Sequence, residues 1–391
     1  MSPSVLTGLE RIAQADPSVL ARLRGRRLGL CAHPASVDSR LRHARWVLEA
    51  QGLDIQTLFG PEHGYGGEAQ DMISVGDDRL VAEPPVHSLY GAGPDALSPT
   101  AEQLAGLDAI VIDLQDVGAR YYTFVWTAVL VLRAAAQHGV ETIVLDRPNP
   151  LGGVTLEGAP QRSGYRSFVG LCDVPVRHGM TIGELCQMVA RTEGLDGALH
   201  VVPMRGYRRP MSFAETGLPW VLPSPNMPTL DTVQVYPGGC LLEGTNLSEG
   251  RGTTRPFEIW GAPFLDAGQL AARVQAEGVV LRPLSFSPTF QKHAKQRCFG
   301  VQVHVTDAAR LRSYALYLRL IAEARHLCGA AFAWRTAEYE FVSDRPAIDL
   351  LTGGPEFRTQ VDAGQDIAAW LADDSAQAQA FDARRREWLL Y

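Results

Sequence analysis

The chain has 391 residues, of which 46% are hydrophobic and 20% charged, and its formal net charge is −7. A chain of this length and composition is expected to fold as a globular protein with two domains. The negative net charge, together with the lack of a basic block, argues against nucleic acid or an anionic membrane surface as a partner.

The first half of the chain alternates apolar strands with helical patterns, as expected for βαβ units and a parallel sheet. The predicted strands lie at residues 26–32, 55–59, 85–91, 107–115, 141–146 and 198–204. The predicted helices lie at 39–52, 121–137 and 181–192. Residues 107–115 are almost entirely apolar, which is typical of a strand covered on both faces. This order predicts an α/β fold with a doubly wound sheet.

Residues 217–263 are rich in Gly, Pro, Thr, Ser and Asn, with one predicted helix near 229–241. A long ordered loop of this kind is usually functional. Downstream, residues 279–290 and 299–305 alternate like antiparallel strands, and residues 308–328 and 366–388 have helical patterns. We therefore predict one domain at 1–250 that carries the catalytic loops and a smaller α+β domain at 251–391 that closes the cleft.

Three polar segments follow predicted strands. The segment LFGPEHGYGG (58–67) places Glu62 and His63 directly after a strand, and DLQDVGARYYT (113–123) and DRPNPLGG (146–153) follow two others. The candidate ligand-binding residues of the last two segments are Asp116, Arg120, Tyr121, Arg147 and Asn149. Because ligands of open α/β sheets bind outside the carboxyl ends of the strands, these segments predict a single site.

Each of these segments also has a purely structural interpretation. Glu62 and His63 could form a surface turn with solvated charges. Asp116 could cap the N-terminus of the following helix, and the 146–153 segment could be a rigid turn. Arg120 and Arg147 could pair with Asp113 or Asp146 instead of binding a ligand.

The 217–263 stretch contains PSPNMPT (223–229) and LEGTNLSEGRGTTRPFE (242–258). Its candidate ligand-binding residues are Asn226, Glu243, Asn246, Glu249 and Arg251. This mixture of donors and acceptors suits a polar, hydroxyl-rich or acidic ligand, and an interdomain linker is the alternative. Arg177 and His178 lie in VRHGMT, just before a predicted helix, and are further candidates that could instead form a helix cap.

The sequence contains no motif that supports binding of a cofactor. GAGPDA (91–96) matches G-x-G-x-x-A, but no helix opens on its glycines to hold a pyrophosphate. A G-x-x-x-x-G-K-[ST] loop, a G-x-S-x-G elbow and an H-E-x-x-H pair are all missing from the sequence. The six cysteines show no C-x-x-C spacing and the ten histidines do not group as ligands. We therefore expect no metal and no organic cofactor.

A carboxylate-rich site without a cofactor fits hydrolysis by general acid–base chemistry. Glycoside cleavage needs an acid that protonates the leaving oxygen and a second group that acts as nucleophile or activates water. Glu62 suits the acid, because a carboxyl group in an apolar-flanked loop keeps its proton more readily. His63 could tune Glu62 or share the proton transfer. The candidates for the second carboxylate are Asp116, Glu243 and Glu249.

Seven strings of the sequence, in the same order, resemble those of the exo-β-N-acetylmuramidases, a family of bacterial peptidoglycan hexosaminidases. They are FGPEHG, DLQDVGARYYT, LDRPNPLGG, RHGMTIGEL, GLPWVLPSPNMPT, VYPGGCLLEGTNLSEGRGTT and HVTD. The likeness extends from about Gly8 to the end of the chain. The resemblance implies a Rossmann-like N-terminal domain, a smaller C-terminal domain, an active site in the cleft between them, and no cofactor.

The resemblance also implies the reaction, which is release of N-acetylmuramic acid (MurNAc) from the non-reducing ends of peptidoglycan fragments. Such fragments include the disaccharide MurNAc-GlcNAc and muropeptides. The catalytic glutamate proposed for the family maps to Glu62. One departure is AHPASVD (32–38), where the family tends to have an Asn-Pro-Thr-Gly type of turn.

MurNAc carries a lactyl carboxylate, so the pocket should hold an arginine that can pair with it. Arg120, Arg177 and Arg251 are the candidates, and Tyr121 or Tyr122 could stack on the sugar. Two other functions stay open: a non-catalytic protein that binds muropeptides or amino sugars, and a cell-wall amidase or esterase. The sequence leaves the oligomeric state open.

The first twenty residues lack the basic and apolar regions of a secretory signal peptide. No window is apolar enough for a membrane span. We therefore expect a cytoplasmic protein that acts on imported wall fragments, or a periplasmic or secreted one if a signal peptide has been removed.

Overall fold

The structure is a computed structural model, and it describes residues 4–70, 72–76 and 84–391. Within these residues the strands are β1 Arg27–Ala32, β2 Asp54–Gly60, β3 Val86–Ser88, β4 Ala109–Asp113, β5 Glu141–Leu145, β6 Leu199–Val202, β7 Ile259–Ala262, β8 Val279–Phe286 and β9 Cys298–Val305. The α-helices are α1 Gly8–Ala13, α2 Pro17–Leu23, α3 Ala44–Ala50, α4 Ala101–Leu104, α5 Phe124–Gln137, α6 Ile182–Glu193, α7 Leu230–Gly239, α8 Ala267–Arg273, α9 Ser313–Cys328, α10 Ala347–Thr352, α11 Glu356–Asp362 and α12 Ala368–Arg385.

The larger sheet holds the first six described strands in the order β3-β2-β1-β4-β5-β6. Every neighbouring pair in it is parallel. The chain runs outward from β1 to β3, then crosses back to β4 beside β1 and continues to β6. This reversal between β1 and β4 is the switch point of a Rossmann-like sheet, outside which ligands bind. The predicted α/β, doubly wound fold is confirmed.

Helices cover both faces of this sheet because successive side chains of each strand point to opposite sides. Leu28 and Leu30 of β1 pack in one apolar cluster with α1, α2 and α3. Cys31 lies between Leu30 and Ala32 in β1 and points to the opposite face of the sheet, where it packs in a second cluster with α5 and α6. In β4, Val111 and Ile112 divide in the same way. Burial on both faces explains the nearly continuous apolar run of β4.

A smaller antiparallel sheet of order β7-β9-β8 follows in the C-terminal part of the described chain. The predicted strands at 279–290 and 299–305 are confirmed as β8 and β9. The sequence-based prediction missed β7, which lies inside the Gly- and Pro-rich stretch. Its four residues, Ile-Trp-Gly-Ala, are too few to show a period, and β7 forms by pairing with β9.

Two predicted helices begin later than the sequence pattern indicated. The helix expected from residue 39 begins at Ala44, because the His43 side chain accepts the N–H of Arg45. Asp38 instead organises the preceding turn by accepting the N–H groups of Arg40 and Arg42. The helix expected from residue 121 begins at 124. Among the described residues, no helix is long and apolar enough to cross a membrane.

Helix α12 returns to the N-terminal part of the chain, where Asp374 accepts the N–H of Ala159 at 2.8 Å. Burial raises the pKa of the Asp374 carboxyl group from 3.8 to about 6, although the N–H of Ala159 and the charge of Arg120 oppose that shift. At a pH between 3.8 and about 6, the Asp374 carboxyl group releases its proton in the unfolded chain but retains it in the folded protein. The folded state therefore loses stability as the pH rises from about 4 to 6, and the loss persists above that range.

We expect Asp374→Asn to remove this pH dependence, because an amide does not titrate. The difference in the free energy of unfolding, variant minus wild type, should be about 2–3 kcal/mol larger near pH 7.5 than near pH 4, so the variant gains relative stability at the higher pH. Urea denaturation of both proteins at the two pH values measures this difference. The same effect of the substitution at both pH values would contradict the assigned shift.

Candidate active site

A narrow polar pocket lies at the carboxyl edge of the larger sheet. It is lined by Glu62, His63, Tyr121, Tyr122, Thr123, Val169, Ser224, Asn226, Met227, Tyr236, Glu243, Arg251, Phe257, Tyr339 and Glu340. Seven of the residues predicted from the sequence belong to this lining: Glu62, His63, Tyr121, Tyr122, Asn226, Glu243 and Arg251. The pocket thus joins the loop after β2, the segment before α5 and the C-terminal half of the chain.

Glu62 lies on the loop that follows β2 and is buried, with 6% of its surface exposed. The hydroxyl of Thr123 donates a hydrogen bond of 2.6 Å to its carboxylate. Two glycines of the motif have steric roles: a Cβ at Gly60 would collide with the main-chain nitrogen of Tyr65, and Gly64 has a φ of +83°. The motif therefore folds tightly enough to hold the carboxyl group of Glu62 inside the pocket.

His63 stabilises the conformation of this loop through contacts with Ala69 and Phe124. Its Nδ1 donates to the carbonyl oxygen of Ala69 at 2.8 Å, and the N–H of Ala69 donates to the carbonyl oxygen of His63. The ring edge also meets Phe124 at a centroid distance of 6.3 Å. His63 has a φ of 71°, which is uncommon for a residue with a Cβ and is typical of strained functional loops. These contacts give His63 a clear role in loop conformation.

We expect Thr123→Val to lower kcat/KM by about 2–10-fold, because a hydrogen bond of this kind contributes about 0.5–1.5 kcal/mol. The valine keeps the side-chain volume and removes the donor that orients Glu62. Thr127→Val is the matched control, since Thr127 is equally buried and its hydroxyl faces a main-chain carbonyl. Steady-state kinetics should separate the two variants. Equal losses in both would contradict a role for the Thr123 hydroxyl.

Arg251 forms the charged wall of the pocket with two glutamates. It donates to Glu243 at 2.6 Å, and the hydroxyl of Tyr339 donates to the other oxygen of Glu243 at 2.7 Å. Glu249 lies 3.4 Å from Arg251 and accepts from Lys292 at 2.9 Å. Burial alone would raise the pKa of Glu249, but the charges of Lys292 and Arg251 outweigh burial and lower it. Glu249 is therefore an ionised partner behind the pocket lining.

The structure corrects two of the three arginines expected to bind a substrate carboxylate. Arg120 is fully buried and donates to three main-chain carbonyls, with distances of 2.6–3.1 Å. The guanidinium of Arg177 lies 3.4 Å from the carboxylate of Glu157 and donates to the main-chain carbonyl of Leu151 at 2.6 Å. Neither belongs to the pocket lining. Arg251 is the predicted arginine that does.

Arg147 and Asn149 also have structural contacts instead of a place in the pocket lining. Arg147 forms a bidentate ion pair with Asp113, with distances of 2.6 and 2.7 Å. The Arg147–Asp113 pair is the structural interpretation of Arg147, in which it pairs with an aspartate instead of a ligand. Asp113 is the last residue of β4. Asn149 donates to the carbonyl of Met180 and accepts the N–H of Leu151, both at 3.0 Å. These bonds tie the loop after β5 to its neighbours.

Asp116 does not cap a helix, which corrects the structural interpretation given above. It accepts the N–H of Gly118 at 2.9 Å, whereas α5 begins only at Phe124. Its carboxylate lies 3.6 Å from Nε2 of the fully buried His178. Neither residue belongs to the pocket lining, although the charges of Asp116 and Glu62 both act on Tyr122, which does.

The two asparagines predicted in residues 217–263 lie in different surroundings. Asn226 lines the pocket and donates to the side chain of Gln70 at 2.9 Å. Asn246 lies outside that lining and bridges the main chain of Ala331 and Ala333, with two bonds of 2.9 Å. These bonds give Asn246 a role in loop packing.

The loop that departs from the family pattern, 32–38, lies at the switch point between β1 and β4. His33 is fully buried, and its Nε2 accepts the N–H of Gln115 at 2.9 Å. Burial and the charge of Arg147 hold the pKa of His33 well below its usual range, so the ring is neutral. The main-chain N–H of His33 donates to Ser36. This loop therefore supports the β4 end from beneath the pocket.

Several pocket residues were not predicted. Thr123 and Ser224 line the pocket and lie in segments singled out above, but were not themselves named, whereas the sequence gives Tyr339 and Glu340 no local signal. Tyr121 was predicted as a stacking residue, but its hydroxyl donates to the carbonyl of Pro237 in α7. Within the described residues, no group of three or more His, Cys, Asp or Glu side chains is arranged to hold a metal ion. Three carboxylates that line the pocket could take part in acid–base chemistry: Glu62, Glu243 and Glu340.

Comparison with known families agrees with this architecture. The model of the N-terminal part of exo-beta-N-acetylmuramidase NamZ matches residues 28–231, and the model of its C-terminal part matches residues 234–391. The chain belongs to the exo-β-N-acetylmuramidase NamZ family. The two matches together span nearly the whole chain.

Relatives of this family support the assignment over the full length. The chain is 39% identical to the peptidoglycan beta-N-acetylmuramidase NamZ of Bacillus subtilis, across 100% of this chain and 92% of the relative. A solved DUF1343 family protein of Bacteroides fragilis is 30% identical, with a TM-score of 0.87 and full coverage of both chains. A second one from that organism is 26% identical, with a TM-score of 0.72 and 99% coverage of both. The protein is a glycosidase of the NamZ family.

Proposed function

We propose that this protein releases MurNAc from the non-reducing ends of peptidoglycan fragments, with Glu62 as the general acid. The observation that carries the proposal is the buried Glu62 carboxyl group, held by Thr123 in a pocket outside the carboxyl edge of a Rossmann-like sheet. The NamZ relative of B. subtilis, named as a peptidoglycan beta-N-acetylmuramidase, supports the choice of bond.

In the proposed reaction, protonated Glu62 gives its proton to the glycosidic oxygen while the bond from that oxygen to C1 of MurNAc breaks. The electron pair of the bond stays with the oxygen, so the aglycone leaves as an alcohol. Water supplies the hydroxyl group that C1 receives, and its second proton restores the acid. Thr123 orients the carboxyl group during this cycle, and the contacts of His63 keep the loop closed around it.

Arg251 is the proposed contact for the lactyl carboxylate of MurNAc. It is the predicted arginine that lines the pocket, and its guanidinium lies over the ring of Phe257 at 5.1 Å. A planar guanidinium suits bidentate recognition of a carboxylate. Its contacts with Glu243 and Glu249 fix the position of the guanidinium before a substrate binds. Fragments that carry MurNAc at the non-reducing end, such as MurNAc-GlcNAc and muropeptides, are the proposed substrates.

The test is to incubate the protein with MurNAc-GlcNAc and with an aryl β-N-acetylmuramide, and to identify the products by mass spectrometry. The proposal expects catalytic release of free MurNAc from both compounds. Stoichiometric binding without turnover would instead identify a binding protein. Release of peptide from a muropeptide, with its glycosidic bonds intact, would identify an amidase. Either of the last two results would overturn the proposed function.

A further inference from the structure

A second buried glutamate lines the same pocket as Glu62. Glu340 has 4% of its surface exposed and lies in the C-terminal half of the chain, between α9 and α10. The residues on either side of it in the sequence give no hint of a site. The pocket therefore receives one carboxylate from the β2 loop and another from a distant part of the chain.

Glu340 lies on a strained turn. Tyr339 and Val342 exchange two main-chain hydrogen bonds of 3.0 Å each, which makes Glu340 and Phe341 the two central residues of a tight hairpin. Their φ angles are 47° and 64°. Turns with two positive φ angles strongly favour Asn and Gly, and such strain on larger residues persists where the surrounding structure enforces it. The chain keeps Glu and Phe at these positions against that preference.

Tyr90 connects this turn to β2, the strand that precedes the loop of Glu62. Its hydroxyl donates to the Glu340 carboxylate at 3.1 Å, and its ring meets the edge of Phe341 at a centroid distance of 5.7 Å. Tyr90 follows β3, which pairs with β2, and the neighbouring Leu89 donates its N–H to the carbonyl of Gly60. A short and well-packed path of contacts therefore fixes Glu340 relative to Glu62.

The third carboxylate of the pocket lining belongs to Glu243. Glu243 accepts from Arg251 on one oxygen and from Tyr339 on the other, so its charge is matched within the pocket wall. Arg251 thus holds Glu243 as a partner that shapes the wall. Glu340 combines burial, a place in the lining and a strained backbone, which are the features of a functional carboxylate.

We propose that Glu340 is the second catalytic carboxylate of the reaction. This inference rests on the proposed function. As the bond from C1 to the glycosidic oxygen breaks, the negative charge of Glu340 stabilises the positive charge that develops on the sugar. The attacking water forms the new bond to C1 and gives one proton to Glu340. Glu62 has lost one proton to the aglycone at that point, and exchange through solvent returns the proton from Glu340 to Glu62.

The test compares Glu340→Gln with Glu62→Gln on two substrates that differ in the leaving group. MurNAc-GlcNAc needs protonation of the leaving oxygen, whereas an activated aryl β-N-acetylmuramide does not. We expect Glu340→Gln to lower kcat by about 10²–10⁴-fold on both substrates. We expect Glu62→Gln to lose much more activity on the disaccharide than on the aryl substrate. This contrast assigns the two carboxylates to different steps.

Two further variants separate catalysis from folding. Glu340→Gly relaxes a position with positive φ but removes the acceptor of the Tyr90 hydroxyl, so its thermal midpoint should stay near that of wild type while its activity is lost. Glu338→Gln alters an exposed glutamate two residues away, and its activity should stay within about twofold of wild type. Retention of more than a tenth of wild-type activity in Glu340→Gln would overturn the inference. If wild type itself released no MurNAc, the proposed function would fall instead.

Discussion

Glu62→Gln should lower kcat on MurNAc-GlcNAc by about 10²–10⁴-fold, the usual contribution of a positioned general acid. The amide has the size of the carboxyl group and can still meet the hydroxyl of Thr123, but it has no proton to give to the leaving oxygen. The loss should appear in kcat, because the interaction with the substrate changes mainly in the transition state. Steady-state rates of MurNAc release measure it.

The matched control for this variant is Glu68→Gln, in the same loop. Glu68 is exposed, so its substitution should change the rate by no more than about twofold. Circular dichroism and the thermal midpoint of both variants should match wild type. A Glu62→Gln enzyme with near wild-type kcat on the disaccharide would contradict the role of Glu62 while leaving the reaction itself intact.

Arg147→Met should destabilise the protein by about 3–5 kcal/mol, since it leaves a buried carboxylate without its partner. The Asp113 side chain is fully buried and Arg147 retains 7% exposure, and the pair is bidentate. Arg147 also donates to the carbonyl of Val37, so the substitution also releases the loop after β1. Urea denaturation followed by circular dichroism measures the free energy of unfolding.

Arg133→Met provides the comparison for this effect. Arg133 forms a bidentate pair with Glu193, with distances of 2.6 and 3.0 Å, but both side chains are about one-third exposed. An exposed pair of this kind contributes about 0–1 kcal/mol. If the two substitutions cost the same, burial would not be the reason for the importance of the Arg147 pair.

Much of the fold could be predicted because its strands carry strong local signals. The apolar runs of β1, β4 and β5 appear in the sequence nearly at their observed bounds, since burial on both faces demands them. β7 was missed because a four-residue strand within a glycine-rich stretch depends on its partner β9. The start of α5 was placed three residues too early, because residues 119–122 form a turn in which the N–H of Tyr122 donates to the carbonyl of Ala119.

The site could be predicted where polar residues directly follow a strand or lie in the long polar loop at 217–263. Glu62 and His63 meet the first condition, Asn226, Glu243 and Arg251 meet the second, and the pocket contains all five. Arg120 was misjudged because its carbonyl partners lie far away in the chain, the most distant at Leu351. Glu340 has no local signal, because the turn that carries it is specified by contacts with Tyr90 instead of by turn-forming residues. Such long-range contacts do not appear in a pattern of neighbouring residues.

The most direct measurement of the central claim uses a short peptidoglycan glycan chain that begins with MurNAc at its non-reducing end and is reduced at its other end. Mass spectrometry over time then follows both free MurNAc and the oligosaccharide that keeps the reduced end. The account predicts free MurNAc together with an oligosaccharide shortened by that one sugar. Internal cleavage products, or an intact chain after prolonged incubation with folded enzyme, would contradict it.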